Sequence, residues 1–128
     1  MKKAHINLED LEIYRLAREL SQTAWRIYAP LDVNTKIIIG NQFIEATDSV
    51  GANIAEAYGR FHYLDRIKFL YNARGSLVEA AHWIELLKER DIVGVEDYEK
   101  YKKIMGQVSI KLQNFISSIY RSKDRPKQ

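Results

Sequence analysis

Apolar residues in the last third of the chain recur at alternating spacings of three and four positions. They are Tyr98, Tyr101, Met105, Val108, Leu112, Phe115 and Ile119. This heptad pattern places all of these side chains along one side of an α-helix, and it predicts near-parallel packing against other helices at shallow crossing angles. A single helix cannot bury such a side by itself, so the rest of the chain must supply partner helices.

Three earlier segments also have helical periodicity, and no segment alternates like a β-strand over a useful length. The four predicted helices run over residues 8–28, 35–58, 63–90 and 95–122. Asn7 and Asn34 are the predicted N-caps of the first and second helices, Gly59 is expected to end the second in a left-handed conformation, and Gly94 separates the last two. Long helices joined by short loops predict an all-α, antiparallel up-down-up-down four-helix bundle.

Composition assigns the bundle to one domain over residues 1–120 and leaves a basic tail. Residues 121–128 carry four basic residues and one acid, whereas the other 120 residues carry 16 of each. We expect this tail to be flexible, and it is a plausible contact for a polyanion or simply a solvated terminus. The chain has no cysteine and no apolar run long enough to span a bilayer, so we expect a cytoplasmic protein without disulfides or membrane contact.

Polar residues form ordered stripes on the second and third helices. The candidates for one structural polar network are Gln42, Ser49, Asn53, Glu56 and Arg60 on the second helix and Gly75, Ser76 and Glu79 on the third. Glu56 and Arg60 have the order and spacing of a favourable helix ion pair. We predict that the two stripes meet and satisfy each other, which would fix the register of the two helices.

Several aromatic and apolar residues lie beside the main apolar stripes. Tyr58, Phe61 and Tyr63 cluster at the turn between the second and third helices, and the others are Trp25, Tyr28, Ile116 and Tyr120. They either cover the ends of the bundle or form an oligomer interface, which would be rich in aromatic residues.

Catalytic chemistry has little support in the sequence. Glu79 and His82 form one Glu-x-x-His motif, but a di-iron bundle needs two such motifs, and the chain has only three histidines. No glycine-rich phosphate loop is present. We therefore predict no catalytic residue, metal or cofactor, and the residual enzyme hypothesis would use Glu56, Glu79 and His82.

Two long motifs resemble one known family. QFIEATDSVGANIAEAYGR is similar to the family pattern at Gln42, Ala46, Ser49, Asn53, Ile54, Ala55, Glu56, Gly59 and Arg60. FLYNARGSLVEA is similar at Phe69, Leu70, Ala73, Gly75, Ser76, Leu77 and Glu79. These motifs, in this order, resemble the four-helix-bundle proteins encoded in intervening sequences of 23S ribosomal RNA genes. The chain departs from the family at Ile44 and Glu45, where basic residues are common.

The resemblance implies a non-enzymatic homo-oligomer, with a pentamer favoured, that associates with RNA. Related proteins are the accessory variability determinants of diversity-generating retroelements, similar pentameric bundles that bind a reverse transcriptase and nucleic acid. The expected partners are therefore other copies of the chain, RNA or DNA, and a reverse transcriptase or other protein.

The candidate nucleic-acid-binding residues are Lys100, Lys103, Lys111, Arg121, Lys123, Arg125 and Lys127. The alternative is a protein–protein scaffold that makes no direct contact with nucleic acid.

Overall fold

The computed structural model describes Leu8 and residues 11–123, which form four long helices. α1 spans Glu12–Tyr28, α3 spans Tyr63–Glu89 and α4 spans Val95–Lys123. α2 runs without a break through Val33–Thr35, a π-helical turn at Lys36–Gly40, and Asn41–Gly59. These described residues contain no β-strand, so the all-α prediction is confirmed. No helix within them has the length and apolar character needed to cross a membrane.

Each helix packs mainly against two others. α2 lies against α1 and α3, and α4 also lies against α1 and α3. Side chains from all four helices meet in one buried core, which includes Leu20, Phe43, Leu70 and Leu112. This arrangement confirms the four-helix bundle that the helical periodicity of the sequence predicts.

The heptad pattern of α4 is confirmed as its buried side. Tyr101, Met105, Val108, Leu112 and Ile119 are buried, while Tyr98 and Phe115 are half-buried and pack against the core. Ile116, which the sequence analysis placed beside the main stripe, is only 2 % exposed and belongs to the core. The apolar face of α4 is therefore wider than a strict heptad seam, as helices in globular bundles usually require.

Two helix starts differ from the prediction. α1 begins at Glu12 rather than near Leu8, and the predicted cap Asn7 lies outside the described residues. α2 begins at Val33 because the Asp32 carboxylate accepts a hydrogen bond from the Thr35 backbone N–H at 2.7 Å. That bond also holds the pKa of the Asp32 carboxyl below its ordinary value. The assignment of Asn34 as the cap was wrong, because an equally suitable acceptor lies two residues earlier.

The left-handed residue lies at the end of α3, at Asp91, and not at Gly59, where the sequence predicts it. Neither Gly59 nor Gly94 has a positive φ, and Asp91, with φ of 57°, is the described non-glycine residue in the left-handed region. The Ile92 N–H reaches the Leu87 carbonyl at 2.9 Å and the Asp91 N–H reaches the Lys88 carbonyl at 3.1 Å. These two bonds form a Schellman motif, in which aspartate can take the left-handed position at modest cost.

One buried hydrogen bond joins α2 to α4. The hydroxyl oxygens of Thr47 and Tyr101 lie 2.7 Å apart, and Thr47 also donates to the Phe43 carbonyl at 2.9 Å. The Tyr101 hydroxyl therefore donates to Thr47, and its ring packs on Phe43 with centroids 5.2 Å apart. Burial raises the pKa of Tyr101 well above its ordinary value, so the phenol stays protonated.

We predict that Thr47→Val destabilises the protein by about 1–3 kcal/mol, because it leaves the Tyr101 hydroxyl buried without this partner. Thr23→Val is the matched control, since Thr23 is also buried but bonds only the Glu19 carbonyl of its own helix. It should cost less than about 1 kcal/mol. Urea unfolding at one fixed protein concentration measures both, and equal losses would contradict the role given to Thr47.

Candidate nucleic-acid interface

Three tyrosines meet where the beginning of α3 lies against the end of α4. The hydroxyl oxygens of Tyr71 and Tyr120 are 3.1 Å apart. The ring of Tyr63 meets that of Tyr120 edge-on, with centroids 6.3 Å apart. Tyr71 and Tyr120 are each 38 % exposed, so both rings reach solvent. We call Tyr63, Tyr71 and Tyr120 the tyrosine cluster.

One cation contacts this cluster, and two others lie close to it along their helices. The Arg74 guanidinium carbon lies 4.7 Å from the centroid of the Tyr71 ring, and its Nη1 donates to Gln113 Oε1 at 3.2 Å. Lys68 lies three residues before Tyr71 on the same helix, and Arg121 directly follows Tyr120. Lys68, Arg74 and Arg121 are exposed, and we call them the cationic frame.

Exposed cations stand beside the tyrosine cluster although the bundle as a whole is balanced in charge. Residues 56–79 contain four basic residues and three acids. Lys68 and Arg74 form no ion pair within the described residues, whereas Arg60 pairs with Glu56. Hydrogen bonding to Tyr71, followed by burial and the neighbouring tyrosines, raises the pKa of Tyr120. The surface therefore presents cations beside uncharged rings at neutral pH.

The α2–α3 connection carries a further exposed ring, Phe61, two residues before Tyr63. Phe61 is 91 % exposed and meets His62 edge-on at 5.6 Å between centroids. Arg66 Nε donates to the Arg60 carbonyl at 3.0 Å. This bond ties the beginning of α3 to the end of α2, so the connection that carries Phe61 is held at both ends.

Arg60 is engaged by its neighbours. Its guanidinium carbon lies 4.8 Å from the Phe69 ring centroid, and its Nη2 lies 2.8 Å from the Glu56 carboxylate. The structure thus contains the ion pair that the spacing of Glu56 and Arg60 favours. Both side chains are about half exposed, and such a pair contributes little to stability.

The basic residues predicted on α4 form an extended row. Lys100, Lys103, Lys111 and Arg121 are all exposed, but Lys100 and Arg121 are about 30 Å apart along the axis at the ordinary helical rise. Lys111 Nζ is 3.4 Å from the Glu12 carboxylate. Of the four, Arg121 alone belongs to the cationic frame.

The remaining predicted cations lie at the end of the chain. Lys123 is the last residue of α4, which therefore continues into the predicted tail. The other two predicted cations, Arg125 and Lys127, lie outside the described residues.

The two polar stripes border a common groove of about 410 Å³. Its walls are Asn53 from α2 and Tyr71, Asn72, Gly75, Ser76 and Glu79 from α3. Asn53 Nδ2 donates to the Ser49 carbonyl at 2.9 Å, within its own helix, and Gln42 is exposed. Within residues 11–123 no hydrogen bond links the stripe of α2 to that of α3, so the two stripes face each other without the direct bonding that was predicted.

A larger groove of about 600 Å³ lies between α1 and α2. Its lining includes the small residues Ala17, Gly51, Ala52 and Ala55, and Trp25 with 56 % of its surface exposed. Polar and charged side chains also line it, among them Arg18, Arg26 and Asp48. Over the described ranges, no three potential metal-ligating side chains come together. Glu79 and His82 are both exposed.

Sequence reasoning missed the cationic frame on α3. Lys68 and Arg74 were not assigned, because the contacts that define this surface are distant in sequence. Tyr120 lies 49 residues from Tyr71, and Gln113 lies 39 residues from Arg74, so only packing brings each pair together. The signal available was the interleaving of basic and aromatic residues in RIKFLYNAR, which is typical of nucleic-acid-binding surfaces.

Comparison with known proteins shows the family of the chain. The family model for the 23S rRNA-intervening sequence protein matches residues 9–114, which are 106 of the 128 residues. A crystal structure of a protein of unknown function from the S23 ribosomal protein family of Bacteroides thetaiotaomicron has a TM-score of 0.74 at 25% identity, and the match covers 80% of this chain and 96% of that one. No curated protein matches. The chain therefore belongs to the 23S rRNA-intervening sequence protein family.

Proposed function

We propose that this protein is a non-enzymatic, homo-oligomeric adaptor that binds nucleic acid. The observation that carries the proposal is the cationic frame around exposed, uncharged rings, at the end of α4 from which the basic tail continues. Exposed cations attract phosphates and release the counterions condensed on them, which supplies sequence-independent affinity. The name of the family favours RNA of the ribosomal intervening-sequence type as the ligand. The related possibility within this proposal is an accessory protein of a retroelement reverse transcriptase.

The proposal includes an antiparallel up-down-up-down order of the helices. Contacts between α3 and α4 support this order, because residues later in α3 contact residues earlier in α4. Ring or hydrogen-bond contacts pair Tyr63 with Tyr120, Arg74 with Gln113 and Glu85 with Tyr98.

Self-association completes the proposal, and we favour a homopentamer. Trp25 stands exposed at the groove between α1 and α2, and the small residues Gly51, Ala52 and Ala55 on its α2 wall leave room for a side chain of another copy. Exposed aromatic residues are typical anchors of such interfaces. Oligomerisation would multiply the cationic frame, so weak phosphate contacts would add through multivalency.

We predict that Trp25→Glu lowers the native mass of the assembly, because a carboxylate placed in a protein interface loses its hydration without gaining a partner. Val33→Glu is the control, since Val33 is also largely exposed but does not line the groove. Light scattering after size-exclusion chromatography gives both masses. A monomeric wild-type protein, or equal masses for the wild type and both variants, would contradict the proposed interface.

The alternative function is a protein–protein scaffold without direct nucleic-acid contact. Exposed apolar side chains at the start of α2, Ile37 and Ile38, favour it because they lack a covering partner in the monomer. A scaffold of this kind would bind a protein with little salt dependence.

We predict that the triple variant Lys68→Gln/Arg74→Gln/Arg121→Gln weakens nucleic-acid binding and reduces its salt dependence. Three lost phosphate contacts should lower the slope of log affinity against log salt by about 2 for a single strand. The charge-matched control is Lys36→Gln/Lys88→Gln/Arg90→Gln. Two of its residues, Lys36 and Lys88, also rest on tyrosine rings.

Fluorescence-anisotropy titrations at several salt concentrations measure both slopes. Equal losses in the two triple variants would mean that net charge, and not this surface, governs binding. The variant Lys100→Gln/Lys103→Gln/Lys111→Gln tests the row on α4 in the same assay. A chain that stops after Lys123 tests the tail beyond α4 and keeps Arg121 of the cationic frame.

A further inference from the structure

Exposed aromatic rings are the part of this surface that charge attraction leaves unexplained. Phe61 is 91 % exposed, and Tyr71 and Tyr120 each keep more than a third of their surface in solvent. Phosphate groups gain nothing from a phenyl ring, whereas the flat face of an unpaired base stacks on one. We propose that the tyrosine cluster and Phe61 bind unpaired nucleotides by base stacking, so that the ligand is a single-stranded segment. This inference rests on the proposed nucleic-acid function.

The rings of the tyrosine cluster are held in place before any ligand arrives. Tyr71 is fixed by the Arg74 guanidinium over its ring and by its hydroxyl bond to Tyr120. The edge-on contact with Tyr63 fixes Tyr120 in turn. Side chains that are already ordered lose little conformational entropy when a base stacks on them, so this arrangement favours binding.

The positions of the cations suit a strand that lies across the rings. Lys68 and Arg74 stand on either side of Tyr71 along α3, and Arg121 adjoins Tyr120 on α4. Phosphates can contact these cations while the bases turn toward the rings. Single-strand sites usually bind the backbone through cations and the bases through aromatic rings. The guanidinium plane of Arg74 is itself a stacking surface for a base.

A duplex would use this surface poorly. Its base faces are stacked inside the helix, so it could reach the cations and would leave the rings unused. A protein ligand could cover the rings, but it would then have to offset the charge of Lys68, Arg74 and Arg121 with carboxylates. The combination of exposed rings and cations that form no ion pair within residues 11–123 therefore favours a single strand over either.

The test is anisotropy titration of the full chain with two labelled RNAs, an oligouridine of about twelve nucleotides and a duplex of the same length. We expect tighter binding of the single strand. Phe61→Ala and Tyr71→Leu should each weaken it by roughly fivefold to a hundredfold, the range measured for the loss of one stacked base. Duplex binding should change less than twofold.

Three further variants make the result specific. Phe61→Tyr and Tyr71→Phe keep a ring at each position and should bind like the wild type. Ile37→Ala removes a similarly exposed apolar side chain from the start of α2 and should have no effect. Circular dichroism confirms that every variant is folded.

Each contrary outcome has one meaning. Stacking would be overturned, and the proposed function would stand, if three results came together. The wild type would bind both RNAs equally, the ring variants would bind like the wild type, and the cationic-frame variant would bind neither RNA. Failure of the wild type to bind either RNA would overturn both. Loss of single-strand binding in Ile37→Ala equal to that in Phe61→Ala would also overturn the stacking site.

Discussion

The buried contact of Tyr101 with Phe43 and Thr47 fixes how α4 lies along α2, and the rest of the structure depends on that register. Tyr101 is fully buried, so its hydroxyl must find a partner inside the core, and Thr47 is the partner within reach. Sliding α4 by one turn would leave the Tyr101 hydroxyl without this partner in an apolar environment, at a cost of about 1–3 kcal/mol, whereas Thr47 would keep its bond to the Phe43 carbonyl. Because a helix is rigid over this length, the same register also decides which residues of α3 face Tyr120.

Polar contacts at three positions along the α3–α4 pair are consistent with this one alignment of the helices. Glu85 accepts hydrogen bonds from Tyr98 and from Lys102, each at 2.8 Å, near one end of the pair. The bond from Lys102 is the largest reason that the pKa of the Glu85 carboxyl lies below its ordinary value. Arg74 with Gln113 marks the middle, and Tyr71 with Tyr120 marks the other end. Such half-exposed contacts contribute little energy each, but together they select one alignment, and the tyrosine cluster is the last of them.

How much the sequence could predict depends on how local the deciding interaction is. The helices and the buried side of α4 follow from periodicity, which is a local property, and they were predicted correctly. The start of α2 was misplaced because Asp32 and Asn34 are both good caps two residues apart, and only the backbone geometry selects Asp32. Arg121 of the cationic frame was predicted, but Lys68 and Arg74 were missed. Arg74 contacts Gln113 and the ring of Tyr71, and no local sequence pattern indicates a partner 39 residues away.

The distribution of polar groups explains why the surface is where binding should be sought. In the described part of the chain the buried hydroxyls of Thr23, Thr47 and Tyr101 are all hydrogen-bonded, whereas the buried Trp83 Nε1 has no partner. The three hydroxyls thus serve folding, and the charged groups able to attract a polyanion lie outside the core, beside the exposed rings. Three cations on one protomer hold a polyanion weakly, especially at physiological salt. Self-association and nucleic-acid binding therefore support each other as proposals, since several copies on one assembly raise the effective concentration of each weak site for the same strand.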